Sequence, residues 1–177
     1  MENKKEVVLF SREEISKRVK ELGREISQHY NGEEVIIIPV LRGGFVFAAD
    51  LIRELEIPVV VDFAITSSYE SREESSGQVN IISDIREDIE GKNVLIVDDI
   101  MDSGHTLKNL KELFGKRNPK SLNVCVLLDK PSRRQVHIKP EFRGFEIEDV
   151  FIVGYGLNYG KNYRNIPYIF SWEDIDV

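Results

Sequence analysis

The 177-residue chain has a single cysteine, Cys125, so no intrachain disulfide can form. A lone thiol inside the apolar run Val124–Leu128 reads as a buried structural residue, not a reactive one. No Cys/His cluster has the spacing of a zinc site. No apolar run approaches the ~20 residues that a membrane span needs. The N-terminal stretch MENKKEVVLF is charged and has no apolar signal core. The expectation is a cytoplasmic protein with no membrane partner. Basic residues are outnumbered, 24 Lys and Arg against 31 Asp and Glu, for a net charge of −7. That argues against a broad nucleic-acid footprint, while leaving room for a local basic pocket. The G-x-x-x-x-G-K-[ST] phosphate loop is missing, which argues against ordinary nucleoside-triphosphate chemistry. Gly154, Gly156 and Gly160 approximate a dinucleotide fingerprint, but the spacing is one residue too long and opens no obvious helix.

What is present is an ordinary globular composition, 41% hydrophobic and 31% charged, in a length that fits one domain over residues 1–177. Ser11 to Glu14 reads as a capping box, and Ile15, Val19, Leu22 and Ile26 recur at helical spacing, which predicts a helix over 12–29. The continuous apolar run at 35–38 reads as a strand covered on both faces, and the largely apolar stretches 59–65, 94–97, 122–128 and 150–153 read as further strands. Helices are expected from Gly44 to about Leu55 and over 106–116, and a return strand over 79–82. This alternation predicts an α/β fold with a mostly parallel sheet flanked by helices. In such sheets ligands bind beyond the carboxyl ends of the strands. The short polar motifs at 41–44, 98–106, 129–134 and 154–160 all fall there.

The stretch VLIVDDIMDSGHT, residues 94–106, joins a strand to a helix through a glycine turn and carries three carboxylates. Residues 102–106 suit a phosphate monoester. Helix-start N–H groups lack internal partners there, Gly104 permits close approach, and Ser103 and Thr106 carry hydroxyls. A plain connection capped by Ser103 or Thr106 is the alternative. Asp98 and Asp99 are expected at the end of the strand, where both carboxylates can turn toward a cleft. Carboxylates suit sugar hydroxyls and Mg²⁺. The alternative is one acidic N-cap beside a solvated charge. Backbone amides on a phosphate and carboxylates on ribose hydroxyls together describe a sugar-phosphate site.

VLIVDDIMDSGHT resembles the signature of the type I phosphoribosyltransferases, which bind 5-phosphoribosyl-1-pyrophosphate (PRPP) and replace its pyrophosphate with a base nitrogen. The aspartate directly before Ser-Gly is similar to the branch acting on hypoxanthine and guanine. The likeness runs from VLRGGFVFAADL through SSY and LLDKPSRR to FEIEDVFIVGYGLNYGKNYRN. It implies purine salvage with PRPP and a 6-oxopurine as substrates, Mg²⁺ as cofactor, and a homodimer or homotetramer. It also implies a flexible hairpin loop and a hood over the base built from the N- and C-terminal segments.

By this resemblance Asp102 is the general base for the proton on purine N7, and Asp98 and Asp99 hold the ribose hydroxyls and help place Mg²⁺. Asp102, Ser103, Gly104, His105 and Thr106 receive the 5′-phosphate, with His105 contributing its backbone N–H. Arg42, Gly43 and Arg164 receive pyrophosphate, the first through a loop that often has a cis peptide before its basic residue. Lys130 donates to the purine 6-oxygen, Phe151 stacks on the ring, and the Ile152 backbone reads the base edge. Taken singly, Lys130 fits a solvated basic loop, Phe151 a core position and Arg42 a surface charge. A lysine cannot accept from a 6-amino group, which favours 6-oxopurines over adenine.

Two positions depart from the family pattern. Asn158 stands where an aspartate is usual, keeping the carbonyl that accepts from a guanine amino group but losing the charge on Mg²⁺. Weaker Mg²⁺ dependence or a higher Mg²⁺ requirement is expected, with an altered base preference as a further consequence. Asp98 replaces the more usual glutamate. Two competing readings are an RNA-binding regulator on the same fold, disfavoured by Asp102 and by the net charge, and a phosphoacceptor receiver domain. A receiver would be shorter and carry its acidic pair near the chain start.

Residues 67–78, SSYESREESSGQ, read as a mobile hairpin connection. By the resemblance this loop, with Ser68 and Tyr69 at its tip, closes over pyrophosphate and excludes water. Tyr69→Ala is expected to lower turnover with little loss of stability. Steady-state kinetics identical to the parent would refute that role.

Overall fold

The computed structural model describes residues 4–67 and 80–174. Its elements in chain order are β1 (Lys4–Phe10), α1 (Arg12–Tyr30), β2 (Val35–Leu41), α2 (Phe45–Arg53), β3 (Val59–Val61), β4 (Ala64–Ser67), β5 (Asn80–Ser83), β6 (Asn93–Met101), α3 (His105–Gly115), β7 (Ser121–Asp129), β8 (Phe142–Glu146) and β9 (Ile169–Asp174). The main sheet runs β5-β4-β2-β6-β7-β8, with β3 also paired to β2. All its pairings are parallel except β4 with β5.

The continuous apolar runs sort by parity, as side chains alternate across a pleat. Val35 and Ile37 of β2 join Leu95 and Val97 of β6 on the face covered by α1 and α2, where Ile15, Val19, Leu22, Ile26, Phe47 and Leu51 close the core. Ile36 and Ile38 join Val94 and Ile96 on the other face, under Leu107, Leu110 and Phe114 of α3. Two-sided burial is why these strands show no polar alternation. Helix α1 starts at the reciprocal capping box: Glu14 N donates to Ser11 Oγ at 3.2 Å, and Ser11 N to Glu14 Oε2 at 2.8 Å. It ends at Asn31 in the left-handed region.

The structure corrects three sequence expectations. The run 59–65 is not one strand. It breaks at Asp62 and Phe63 into β3 and β4, because Asp62 turns its carboxylate back on the main chain. Its Oδ1 accepts Phe63 N at 2.8 Å, and its Oδ2 accepts Arg86 N and, at 2.8 Å, Glu87 N. Residues 150–153 form no strand either, since only Val153 makes an isolated bridge, to Phe170. The sheet ends instead on β8, whose half-exposed FRGFE lacks a continuous apolar run. Finally, β6 continues through Asp98 and Asp99 to Met101, still in register with β7. Separately, β1 and β9 pair antiparallel into a two-stranded ribbon.

Asp62 ties the start of β4 to the segment after β5. Partial burial raises its pKa, but the three N–H bonds outweigh this and hold it below the usual carboxylate value. Asp62→Ala is expected to cost about 1 kcal/mol, the low end for a lost charged hydrogen-bond set because water can reach the freed N–H groups. A depressed folded-state pKa contributes stability above the unfolded value, lost as pH falls. The difference in melting temperature between parent and Asp62→Ala should therefore be full at pH 7 and shrink below about pH 4. A gap independent of pH would contradict this account.

Candidate active site

At the carboxyl end of the sheet a cleft of about 580 Å³ opens between the β2–α2 loop, the end of β6, the start of α3 and the loop carrying Asn158 and Arg164. Asp98 and Asp99 lie at its floor, 8% and 7% exposed. Both carboxylates curl back on the main chain: Asp98 Oδ1 accepts Asp99 N at 2.9 Å, and Asp99 Oδ1 accepts Ile100 N at 2.8 Å. Both residues line the cleft although the strand does not end there. Burial, reinforced by the charge of Asp99, pushes the Asp98 carboxyl well above the usual range. Burial raises Asp99 as well, against hydrogen bonds and the Arg164 guanidinium that favour its charged form. The pair is electrostatically poised for a cation.

Gly43 meets this floor so closely that a Cβ there would lie 2.1 Å from Asp99 Oδ2. Only glycine lets the 41–44 loop approach the carboxylate. The Leu41–Arg42 peptide in that loop is cis, and both residues line the cleft. Across from it a Cβ on Gly156 would stand 2.6 Å from Gly43 O. The next residues of that turn bring Asn158 to the cleft wall, with its Nδ2 donating to Gly160 O at 2.7 Å. Arg164 also lines the cleft and is tied to the same turn, donating from Nη1 to Gly156 O.

The turn into α3 forms the opposite wall. Gly104 has φ +88°, and a Cβ on it would be 2.7 Å from Ile138 Cγ2, so torsion and space both require glycine. Segment 129–135 grips this turn from outside. Lys130 N donates to Met101 O, Arg134 Nη1 to Asp102 O and Gln135 N to Ser103 O, each at 3.0 Å. Arg134 is anchored in turn by buried Asp129, which also meets Arg143. Ser103, Gly104 and Thr106 line the cleft, as does Asp102, whose half-exposed carboxylate accepts from Arg133 Nε at 3.2 Å. The His105 ring points elsewhere, 3.2 Å from Gln135 Oε1, which leaves only its backbone N–H for a ligand.

Lys130, Phe151 and Ile152 are not on the wall of this cleft, although Lys130 N donates to the carbonyl of Met101, which does line it. Lys130 is 6% exposed, and its Nζ donates to Val150 O at 2.6 Å. Ile152 is buried, whereas Phe151 is 58% exposed. The bland readings of these positions thus fail: Lys130 is no solvated loop cation, and Phe151 is no core residue. Ser68 and Tyr69 lie outside the described residues.

Sequence reasoning missed several neighbours. Thr66, Ile100 and Met101 line the cleft, but nothing in their type marks them. Arg133, Arg134 and Asp129 brace the α3 turn, and the acid ending the buried run 122–128 was the available signal. Trp172 and Tyr159 pack on Phe151. Among the described residues no group of three or more His, Cys, Asp or Glu is placed to hold a metal ion. Asp98, Asp99 and the Asn158 amide offer oxygen donors suited to Mg²⁺, which readily keeps waters and substrate oxygens as its other ligands.

Residues 9–160 match the phosphoribosyl transferase domain family. The hypoxanthine phosphoribosyltransferase of Salmonella typhimurium is 50% identical over 164 residues, 92% of each chain. The hypoxanthine-guanine phosphoribosyltransferase of Bacillus subtilis is 49% identical over 164 residues, 93% of this chain and 91% of its own. A crystal structure of a Bacillus anthracis hypoxanthine-guanine phosphoribosyltransferase superposes with a TM-score of 0.89 at 48% identity, covering 93% of this chain and 97% of that one.

Two buried carboxylates side by side cost stability in the free protein. Asp98→Asn keeps the acceptor for Asp99 N–H but removes one charge. It is expected to raise the melting temperature at pH 7 by a few degrees. An unchanged or lower melting temperature would show that the pair is not under electrostatic tension.

Proposed function

This chain belongs to the phosphoribosyltransferase family, and from that premise we propose that it is a purine-salvage enzyme. It transfers the 5-phosphoribosyl group of PRPP to hypoxanthine, guanine or both, giving IMP or GMP and pyrophosphate. The observation that carries this reading is one cleft that joins a buried carboxylate pair to a helix start, with Asp102 between them. The relatives' names point to the same reaction.

The proposed roles are those that the family resemblance implies. The 5′-phosphate sits on the N–H groups at the start of α3, with hydroxyls from Ser103 and Thr106. Asp98 and Asp99 accept from the ribose hydroxyls. Arg42, the Gly43 backbone and Arg164 take the pyrophosphate. Lys130 has three donors, of which Val150 O uses one while Asp149 Oδ1 lies 3.9 Å away, so a donor remains for a purine 6-oxygen. Phe151 offers a ring face to the base, while the backbones at Ile152 and Asn158 read its edge. The ring nitrogen's lone pair forms the bond to ribose C1, and the C1–O electrons leave with pyrophosphate. The N7 proton passes to Asp102. The floor carboxylates stabilise positive charge developing at C1.

Asp98, Asp99 and Asn158 are the donors for Mg²⁺, whose charge, when bound, offsets that of the leaving pyrophosphate. With an amide at 158 in place of a carboxylate, half-maximal rate should need more Mg²⁺. The enzyme acts in the cytoplasm as a homodimer or homotetramer, without nucleic-acid or membrane partners. Nothing in the cleft favours an RNA-binding regulator.

The test offers hypoxanthine, guanine, xanthine, adenine and uracil separately with PRPP and Mg²⁺. Nucleotide is expected from hypoxanthine or guanine alone. Asp102→Ala should lose about 10²- to 10⁴-fold in kcat, the usual worth of a general base, while still binding PRPP. If no base gives product although PRPP binds, the enzymatic reading is wrong.

A further inference from the structure

Phe151 poses a mechanical problem. It is 58% exposed and belongs to no strand, so neither core packing nor the sheet ladder fixes its ring. A stacking platform that rotates freely is a poor one, since the ring must be ordered each time a base binds.

The ring is nevertheless held, by Trp172, the only tryptophan in the chain. Trp172 lies on β9, where it pairs with Glu6 of β1. Its rings run nearly parallel to Phe151, at 16° with centroids 6.2 Å apart. Tyr159 closes the corner edge-on to both, 5.9 Å from Phe151 and 5.1 Å from Trp172. Trp172 itself is anchored edge-on to buried Phe170 at 5.2 Å and to Tyr163 at 5.7 Å. Offset and edge-to-face arrangements of this kind are the favoured aromatic geometries. Lys4, Phe151, Tyr159 and Trp172 also bound a hollow of about 290 Å³, and removing the indole would enlarge it and let the Phe151 ring swing inward.

Tyr159 follows Asn158 directly, and Tyr163 precedes Arg164. The indole therefore touches Tyr159 and Tyr163, one at each end inside the 158–164 turn, as well as the platform. We infer that Trp172 is a positioning residue for the purine: it fixes the plane of Phe151 and sets that plane relative to the Asn158 turn, without touching the reacting atoms. This rests on the reading of Phe151 as the platform that stacks on the base.

The experiment measures KM for hypoxanthine and for PRPP separately, in the parent, Phe151→Ala, Trp172→Ala and Trp172→Phe. For Trp172→Ala the KM for the base should rise roughly 3- to 10-fold, the worth of one lost aromatic pair, with the PRPP value within about twofold. Trp172→Phe should recover most of that loss. Because the indole is unique, its emission should also change on titration with IMP, and Phe151→Ala should remove that change. If Phe151→Ala leaves the base KM unaltered, the platform reading fails. If Phe151→Ala raises it but Trp172→Ala does not, the positioning role alone fails. A parallel rise in both KM values, no rescue by phenylalanine, or silent emission also overturns the inference. Should Trp172→Ala not fold, Trp172→Leu, which keeps apolar bulk without a ring face, takes its place.

Discussion

Asp98 and Asp99 are carried into the interior by the central strand of a sheet covered on both faces. The hydrophobic burial that forms β6 does not stop at Val97, because Ile100 and Met101 still pair with β7. The two carboxylates are therefore held where water cannot fully solvate them, and each satisfies an oxygen on the next backbone N–H. Much of the cleft follows from that placement. The loop opposite must carry Gly43, since any side chain would collide with Asp99. The turn at Gly156 must then carry glycine to pass Gly43. A fold stabilised by apolar packing thus holds an electrostatically strained pair, which a cationic or hydroxyl-bearing ligand relieves.

A second layer fixes the α3 turn. Segment 129–135 contributes three hydrogen bonds to the Met101–Ser103 backbone. The cation that makes one of them, Arg134, is itself locked by buried Asp129. Its stem lies against Gly104, where a Cβ would come 3.0 Å from Arg134 Cδ. Leaving either charge of such a pair alone in a buried setting costs about 3–5 kcal/mol. The turn at the start of α3 is in this way braced by the protein's own contacts.

Polar and apolar parts of the site are built differently. The end with Asp98, Asp99 and the α3 turn stands on strand and helix termini of the main sheet. The end with Phe151 and Ile152 stands on irregular chain, 147–168, where an isolated bridge joins Val153 to Phe170 of β9. Order there comes from hydrogen bonds within the segment, such as Tyr155 N to Ile166 O at 2.7 Å and Gly156 N to Arg164 O at 3.0 Å, and from ring-on-ring packing against β9.

How much of this is legible in sequence depends on how local the signal is. The capping box at Ser11 and Glu14, the buried runs of β2, β6 and β7, and the glycine turn before α3 are written in adjacent residues. Hence the α/β class and the location of the cleft follow directly. That Asp98, Asp99 and the turn before α3 share one cleft is legible because strand ends in a parallel sheet converge. The break at Asp62 escaped because a residue 24 positions later supplies one of its N–H partners. The edge strand β8 escaped because a half-exposed strand has no continuous apolar run. The grip of Arg134 on Asp102, and the pairing of Glu6 with Trp172 at opposite ends of the chain, have no local signature. By itself the sequence determined the three helices, the buried central strands, the fold class and the chemistry available at the sheet's edge. Only the tertiary structure decided which side chains brace that chemistry, because bracing contacts form between segments whose separation along the chain carries no periodicity to read.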